Sequence, residues 1–301
     1  MNRDAKLRAG KFDVDVALVE RLVASQFPQW SGLSVRPVAH DGWDNWTFRL
    51  GDRMKVRLPS AAGYADQAAK ESHWLPRLAP QLPFEVPMPI AVGQPGESFP
   101  WLWSVYQWID GEPVTRAIDK LALAHDVASF INALQAIDAA EGPPPGQHSF
   151  ARGADPMEAY GADARRYVDA LGGVIDTRAA HAVLDAAAAS RAQLPVWAHG
   201  DIAVGNLLAR KGRLSAVIDF GSSAVGDPSC DLVFAWVFLE GESRAAFRSL
   251  VKVDEATWAR GRAWGLWKAA LLASEETIVH PQENAPLDVI AAVIADHRER
   301  A

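Results

Sequence analysis

His199-Gly200-Asp201-Ile202-Ala203-Val204-Gly205-Asn206, with Asp219-Phe220-Gly221 beginning thirteen residues after Asn206, is the stretch that decides the fold. Phosphoryl transfer needs a carboxylate that orients an acceptor hydroxyl and takes its proton. It also needs oxygen ligands for Mg²⁺. Asp201 has the chemistry for the first role, and Asn206 offers a side-chain carbonyl for the second. Asp219 ends the apolar run Ala216-Val217-Ile218, so its carboxylate stands at a strand end. Singly, each residue is ambiguous: His-Gly-Asp also caps helices, Asn206 also suits a turn, and Asp219 also suits a cap. In order, with a hairpin of Leu207 to Ala209 and Leu214 to Ile218 turned at Lys211-Gly212, they form one constellation.

Upstream, Val16, Val19, Leu22, Val23 and Phe27 have helical spacing. Ser34 to Ala39, Trp46 to Leu50 and Met54 to Leu58 alternate as strands, the last two joined by Gly51-Asp52. A helix follows from about Ala65 to Leu78, then a Pro-rich stretch, then strands near Ile90 to Val92 and Leu102 to Trp108. Beyond Ile109-Asp110-Gly111 the chain turns helical: Leu121 to Ala140, Ala179 to Gln193, Cys230 to Leu239, Ser243 to Leu250 and Glu255 to Val279. Gly142 to Gly153 reads as a loop. Strands first and helices after give an α+β chain with a small sheet lobe and a larger helical lobe.

The 301 residues carry a net charge of −7, which argues against nucleic acid as a partner. One cysteine, Cys230, excludes a disulfide framework and a cysteine zinc cluster. The charged N-terminus does not read as a signal peptide, and no apolar run has the length to span a bilayer. These features place the protein in the cytoplasm.

The catalytic run resembles that of the aminoglycoside phosphotransferase family, whose members have a bilobal protein-kinase-like fold. The likeness extends over Gly42-Trp43-Asp44-Asn45, Arg57-Leu58-Pro59, Trp108-Ile109-Asp110-Gly111-Glu112, His148-Ser149-Phe150-Ala151-Arg152-Gly153 and Gly226-Asp227-Pro228-Ser229-Cys230-Asp231-Leu232. The resemblance implies a nucleotide-binding lobe over 1–106, a hinge over 107–111 and a helical catalytic and substrate lobe over 112–301. It implies Asp201 as base, Asn206 and Asp219 as Mg²⁺ ligands, and His199 as a brace of the loop. It also implies ATP or GTP as co-substrate, while monomer and homodimer both stay open.

The first lobe departs from the protein-kinase pattern. His40 to Trp46 holds a single glycine, Gly42, leaving Asn45 and backbone N–H groups to meet phosphate. Lys55 and Arg57 share a strand face. In the family's pattern the residue two before Pro59 takes the place of the kinase lysine, which is Arg57, with Lys55 as fallback and Glu71 as partner. Gln107, Trp108 and Ile109 would meet the adenine, Trp108 either stacking on it or packing in the core.

Few residues separate Gly221 from Asp227-Pro228, no Ala-Pro-Glu follows, and Gly200 stands where protein kinases have an arginine. A peptide platform is therefore absent from the reading, and the acceptor is small. An aminoglycoside is the family-level expectation. Macrolides and metabolites such as choline, homoserine or sugars are the alternatives, and a nucleotide-binding protein without turnover is the rival of another class. From Gly221 onward twelve Asp and Glu stand against eight Lys and Arg. Asp227, Asp231, Glu240, Glu242, Glu275 and Glu276 either line an acidic pocket for a polyamine sugar or act as ordinary caps and surface charges. Asp227 and Asp231 read as supports of the active-site loop and are also the substrate candidates, Asp227 the better of the two. Trp258, Trp264 and Trp267 have helical spacings that suit a core.

Overall fold

The computed structural model describes residues 3–39, 41–190, 194–275 and 279–299. Two compact units divide it. One comprises the chain through Pro80, Glu85–Asp110 and Ile218–Gly221; the other comprises Gln81–Phe84, Gly111–Val217 and the chain from Ser222.

The first unit contains α1 (Arg3–Arg8), α2 (Val16–Gln26), β1 (Val35–Pro37), β2 (Asn45–Leu50), β3 (Met54–Pro59), α3 (Gln67–Leu78), β4 (Pro89–Gly93) and β5 (Trp103–Gln107). Its five strands form one antiparallel sheet in the order β1-β2-β3-β5-β4. Asp15 caps α2 by accepting from the Leu18 N–H at 2.7 Å, which fixes where the helix starts. Leu18, Val19, Leu22 and Val23 then face Trp46, Phe48, Leu50, Val56 and Leu58 in one core. Because side chains alternate along a strand, the intervening residues point to the opposite face. There Arg49 lies directly across from Lys55, and Arg57 across from Thr47 and Ser104; Tyr106 lies across from Lys55. One sheet face is thus apolar and the other collects three cations.

The second unit contains β6 (Glu112–Pro113), α4 (Lys120–Gln135), α5 (Pro156–Ala170), α6 (Thr177–Ala188), β7 (Val196–Ala198), β8 (Leu207–Arg210), β9 (Arg213–Val217), β10 (Ala224–Gly226), α7 (Phe234–Val237), α8 (Gly241–Leu250), α9 (Glu255–Ser274) and α10 (Pro286–Arg298). β6, β8 and β9 form a small sheet, and β7 pairs with β10. α9 is buried on nearly every side, including Trp258, Arg260, Arg262 and Trp264. Its two buried arginines are paired: Arg260 with Asp227, and Arg262 with Glu255 and Asp296 at 2.9 and 3.0 Å. Breaking such a buried pair typically costs about 3–5 kcal/mol, because the remaining charge is stranded.

The structure adds elements absent from the sequence reading: α1, α5, α10, β6, β7 and β10. α5 starts at the Asp155 cap with Pro156 in its first turn, but Gly161 interrupts its middle and weakens the helical pattern. The expected helix from Cys230 to Leu239 is instead a 3-10 run over Pro228–Val233 followed by the single turn α7. Asp227 caps that run by accepting from the Ser229 N–H at 2.8 Å. The helices expected to reach Gln193 and Val279 end earlier, at Ala188 and Ser274; residues 191–193 and 276–278 lie outside the described residues.

Candidate active site

In the second unit, β7 delivers the chain into His199-Gly200-Asp201. His199 is fully buried, edge-on to Phe130. The backbone N–H groups of His199 and Gly200 donate to the two oxygens of Asp231, at 2.8 and 2.7 Å. One carboxylate from the 3-10 run therefore brackets two successive peptide groups of the loop that carries Asp201. Burial pushes the Asp231 carboxyl upward, and His199 and the two backbone donors oppose that shift. The Asp201 N–H donates to Nδ1 of His199 at 3.2 Å, which assigns the ring proton to Nε2. His199 thus braces the loop.

Gly200 adopts φ +86°, and a Cβ there would stand 2.5 Å from the Ser222 carbonyl oxygen. A side chain is excluded by the backbone angle and by the space. Gly200→Ala should destabilise the protein by at least about 2 kcal/mol in a denaturant titration and depress turnover with it. A variant of unchanged stability would refute this packing.

Asp201 is exposed and Asn206 half-buried. The Asn206 amide Nδ2 donates to the Asp201 carbonyl at 3.0 Å and to Asp201 Oδ2 at 2.8 Å. The amide nitrogen is committed to the loop, and the other amide atom, Oδ1, is a hard oxygen of the kind Mg²⁺ takes.

In the first unit, Arg57 on β3 donates from Nη1 to both oxygens of Glu71 on α3, at 3.2 and 3.1 Å, and from Nη2 to Asp219 at 2.8 Å. Tyr106 donates its hydroxyl to the same Glu71. Burial alone would favour neutral Arg57, but Glu71 and Asp219 outweigh it and hold the guanidinium firmly charged. Burial, and then Glu71, raises the Tyr106 phenol. Lys55, half-buried on the same face, is pushed down to about 8 by burial and then by the Arg57 charge. Lys70 on α3 is likewise pushed to about 8 by burial, and its ammonium donates to the Gly221 carbonyl at 2.5 Å. Asp219 has φ +68°, a left-handed backbone uncommon for a residue other than glycine and frequent at functional sites. Its side chain is 30% exposed, so a carboxylate oxygen chemistry suited to Mg²⁺ is accessible here too.

A model of the Phosphotransferase enzyme family matches residues 34–264. The chain belongs to that family. Among solved structures, this phosphotransferase is similar to the GDP complex of aminoglycoside 2'-phosphotransferase-IIIa, with 18% identity, TM-score 0.66, and 94% of this chain and 100% of the other covered. It is also similar to the streptomycin-ATP ternary complex of APH(2")-IIa, with 17% identity, TM-score 0.58 and coverage of 96% and 97%. A third is macrolide 2'-phosphotransferase MphH from Brachybacterium faecium, with 22% identity, TM-score 0.58 and coverage of 93% and 97%. No curated protein sequence matches the chain. The fold is the kinase-like fold of these enzymes, with a small sheet region first and a helical part after it.

Four expected site residues are placed differently in this phosphotransferase. Asn45 is not an outward loop residue. It opens β2, is 6% exposed, and its amide donates to Gln67 at 3.0 Å, so it is a packing link between sheet and helix. The Trp108 ring has the Arg49 guanidinium 3.9 Å from its centre and its indole N–H on Asp110 at 3.0 Å. That face is unavailable for a purine. The N–H groups of Gln107 and Trp108 are bound to the Met88 and Arg53 carbonyls at 2.9 and 2.8 Å, while the Ile109 side chain is buried. Asp227 and Asp231 are 8% and 0% exposed and held by Arg260 and by the loop backbone, so of the two roles expected for them their placement fits support of the loop and not contact with an acceptor.

Sequence reasoning missed Lys6, Lys11 and Lys70. Lys6 is fully buried, donates to Asp41 and to the Asn45 carbonyl at 2.5 and 2.7 Å, and sits 4.0 Å from the Trp46 ring centre. Lys11 donates to the Trp43 carbonyl and to Ser60 at 3.2 and 3.1 Å. The loop before β2 is therefore tied down by lysines from the N-terminal segment. Their local sequence carried no signal, since a lysine buried by tertiary contacts reads like any surface lysine. His40, the first residue of the expected phosphate loop, lies outside the described residues.

Proposed function

We propose that this phosphotransferase moves the γ-phosphate of ATP or GTP to a hydroxyl of a small molecule. The supporting observation is the Asp201–Asn206 arrangement: an exposed carboxylate held by an amide on a loop that Asp231 and His199 fix from below. Asp201 would orient the acceptor hydroxyl and take its proton as the new oxygen–phosphorus bond forms. The bond from the γ-phosphorus to the β-phosphate oxygen breaks, and the nucleoside diphosphate leaves with that electron pair. Asn206 through Oδ1 and Asp219 through its carboxylate would hold Mg²⁺. Among the described residues no three His, Cys, Asp or Glu side chains gather into a metal cluster. Mg²⁺ bound by one or two protein oxygens plus substrate phosphates needs none. Bound there, it would offset the charge of the β- and γ-phosphates.

Arg49, Lys55 and Arg57 on one sheet face would attract the nucleotide phosphates. Two cations directly across a strand pair destabilise a sheet unless an anion meets them. Protonated Lys55 is the form that binds phosphate, and it is present below its value of about 8. Nucleotide affinity should therefore fall as pH rises through that value. The dissociation constant, measured calorimetrically, should rise about tenfold from pH 7.5 to 9. Lys55→Met should flatten the profile, and an equally steep profile in the variant would remove Lys55 from the phosphate site.

An aminoglycoside is the acceptor that the resemblance implies. A second reading, an acceptor that is not a polycation, is favoured by the state of the acidic side chains. Asp227 and Asp231 are buried, Glu240 pairs with Lys120 at 2.7 Å, and Glu275 accepts from Tyr167 at 3.0 Å. Glu276 lies outside the described residues. The test is release of nucleoside diphosphate with ATP and with GTP across aminoglycosides, macrolides and small hydroxyl metabolites. Silence with every acceptor, alongside intact nucleotide binding, would instead make the chain a nucleotide-binding module.

A further inference from the structure

The turn at Phe150-Ala151-Arg152-Gly153 lies against the catalytic loop. A Cβ on Gly200, the neighbour of Asp201, would stand 2.9 Å from the Cβ of Arg152. Phe150 and Ala151 both adopt left-handed backbone angles, φ +51° and +55°, and Gly153 has φ +87°. Two successive non-glycine residues in that region cost of order 1–3 kcal/mol each, a strain that persists only where the surroundings impose it. Ser149 imposes part of it: it is fully buried, and its hydroxyl meets the Gly146 and Arg152 carbonyl oxygens, each at 3.1 Å. The strained turn fixes the Arg152 side chain beside the loop.

The Arg152 guanidinium rests on aromatic rings, 4.6 Å from the Trp264 ring centre and 5.3 Å from that of Trp267. Tyr160 stacks on Trp267 at 4.2 Å and is pinned by its hydroxyl to the Phe150 carbonyl at 3.0 Å. Trp264 packs with Ala198, the residue immediately before His199. Arg152, Tyr160 and Trp267 are each half-buried. Among the described residues, no carboxylate pairs with this guanidinium. The neighbouring acids are otherwise engaged: Asp227 by Arg260, and Asp231 by the backbone of residues 199 and 200. A planar guanidinium that is oriented by ring faces and lacks an acidic partner is arranged to receive a carboxylate or phosphate through its fork of donors.

We propose that Arg152 is an acceptor-binding residue, and that the acceptor carries an anionic group, a carboxylate or a phosphate, alongside the hydroxyl that receives the γ-phosphate. This rests on the phosphotransferase reading above and narrows its acceptor. A polycationic antibiotic placed beside Asp201 would meet a fixed positive charge on a strained turn; a hydroxy acid or a sugar phosphate would meet its counter-charge.

Four probes separate the cases: glycerate, glycerol 3-phosphate, glycerol and kanamycin. Each is tested for binding by calorimetry and for nucleoside-diphosphate release, using the full chain, Arg152→Gln, Arg152→Lys and Asp201→Asn. The expected result is binding of glycerate or glycerol 3-phosphate in preference to glycerol and kanamycin. Arg152→Gln should weaken it about tenfold or more, Arg152→Lys should recover part of it, and the KM for nucleotide should stay unchanged. Stronger response to the carboxylate or to the phosphate compound identifies which anion is meant. Preference for kanamycin or glycerol, equal anion binding by wild type and Arg152→Gln, or no anion binding at all would overturn the proposal. Anion binding is read without turnover, so it decides the role of Arg152 independently. Diphosphate release that is absent, or identical in wild type and Asp201→Asn, would count against the phosphotransferase reading instead.

Discussion

Asp201→Asn should lower kcat by roughly 10³-fold while nucleotide affinity remains within about twofold of wild type. The variant keeps the shape of the side chain and its hydrogen-bonding position beside Asn206, but removes the group that takes the hydroxyl proton. The loop should survive, because it is held by Asp231 and His199 through backbone groups that the substitution leaves in place. An unchanged melting temperature together with a lost turnover would assign the effect to chemistry. Turnover within tenfold of wild type would remove Asp201 from the role of base.

Asp219→Asn should raise the Mg²⁺ concentration needed for half-maximal nucleotide binding and lower kcat/KM by roughly 10²-fold or more. Asparagine is the informative replacement, since it tolerates the left-handed angle of +68° that alanine would strain. It also separates two functions of this carboxylate. Asp219 takes part in a three-membered ion pair in which Arg57 meets both Glu71 and Asp219. Neutralising it leaves Arg57 with Glu71 alone, so some loss of stability should accompany the loss of metal dependence. An unaltered Mg²⁺ titration would leave Asp219 with the ion pair only.

The candidate site residues were legible because the proposed chemistry is local: Asp201 and Asn206 lie within one turn-rich stretch, and Asp219 follows a recognisable strand. Arg57 and Glu71 were legible through strand alternation and the helix that follows. Asn45 was misplaced because the first residue of a strand and the last residue of a loop share the same composition. Trp108 stayed open between adenine stacking and core packing because its partner Arg49 lies on a different strand. The bracket formed by Asp231 spans about thirty residues of sequence and carries no local pattern, so its carboxylate looked as suited to substrate as to structure. Lys6, Lys11 and Lys70 take their roles from tertiary burial. α5 was hidden by Gly161, whereas α10, with Pro286 in its first turn, had a pattern that was there to be read.

Ile218–Gly221 leaves β9 and clusters with the first unit, where Asp219 meets Arg57 and Gly221 meets Lys70. The sheet unit is therefore not a contiguous cassette. A chimaera that exchanged only the first 110 residues with a relative would import a new Arg57 and α3 while retaining the old Asp219 and Gly221. Grafting nucleotide preference between such enzymes accordingly requires two insertions, the long N-terminal piece and a four-residue splice at 218–221.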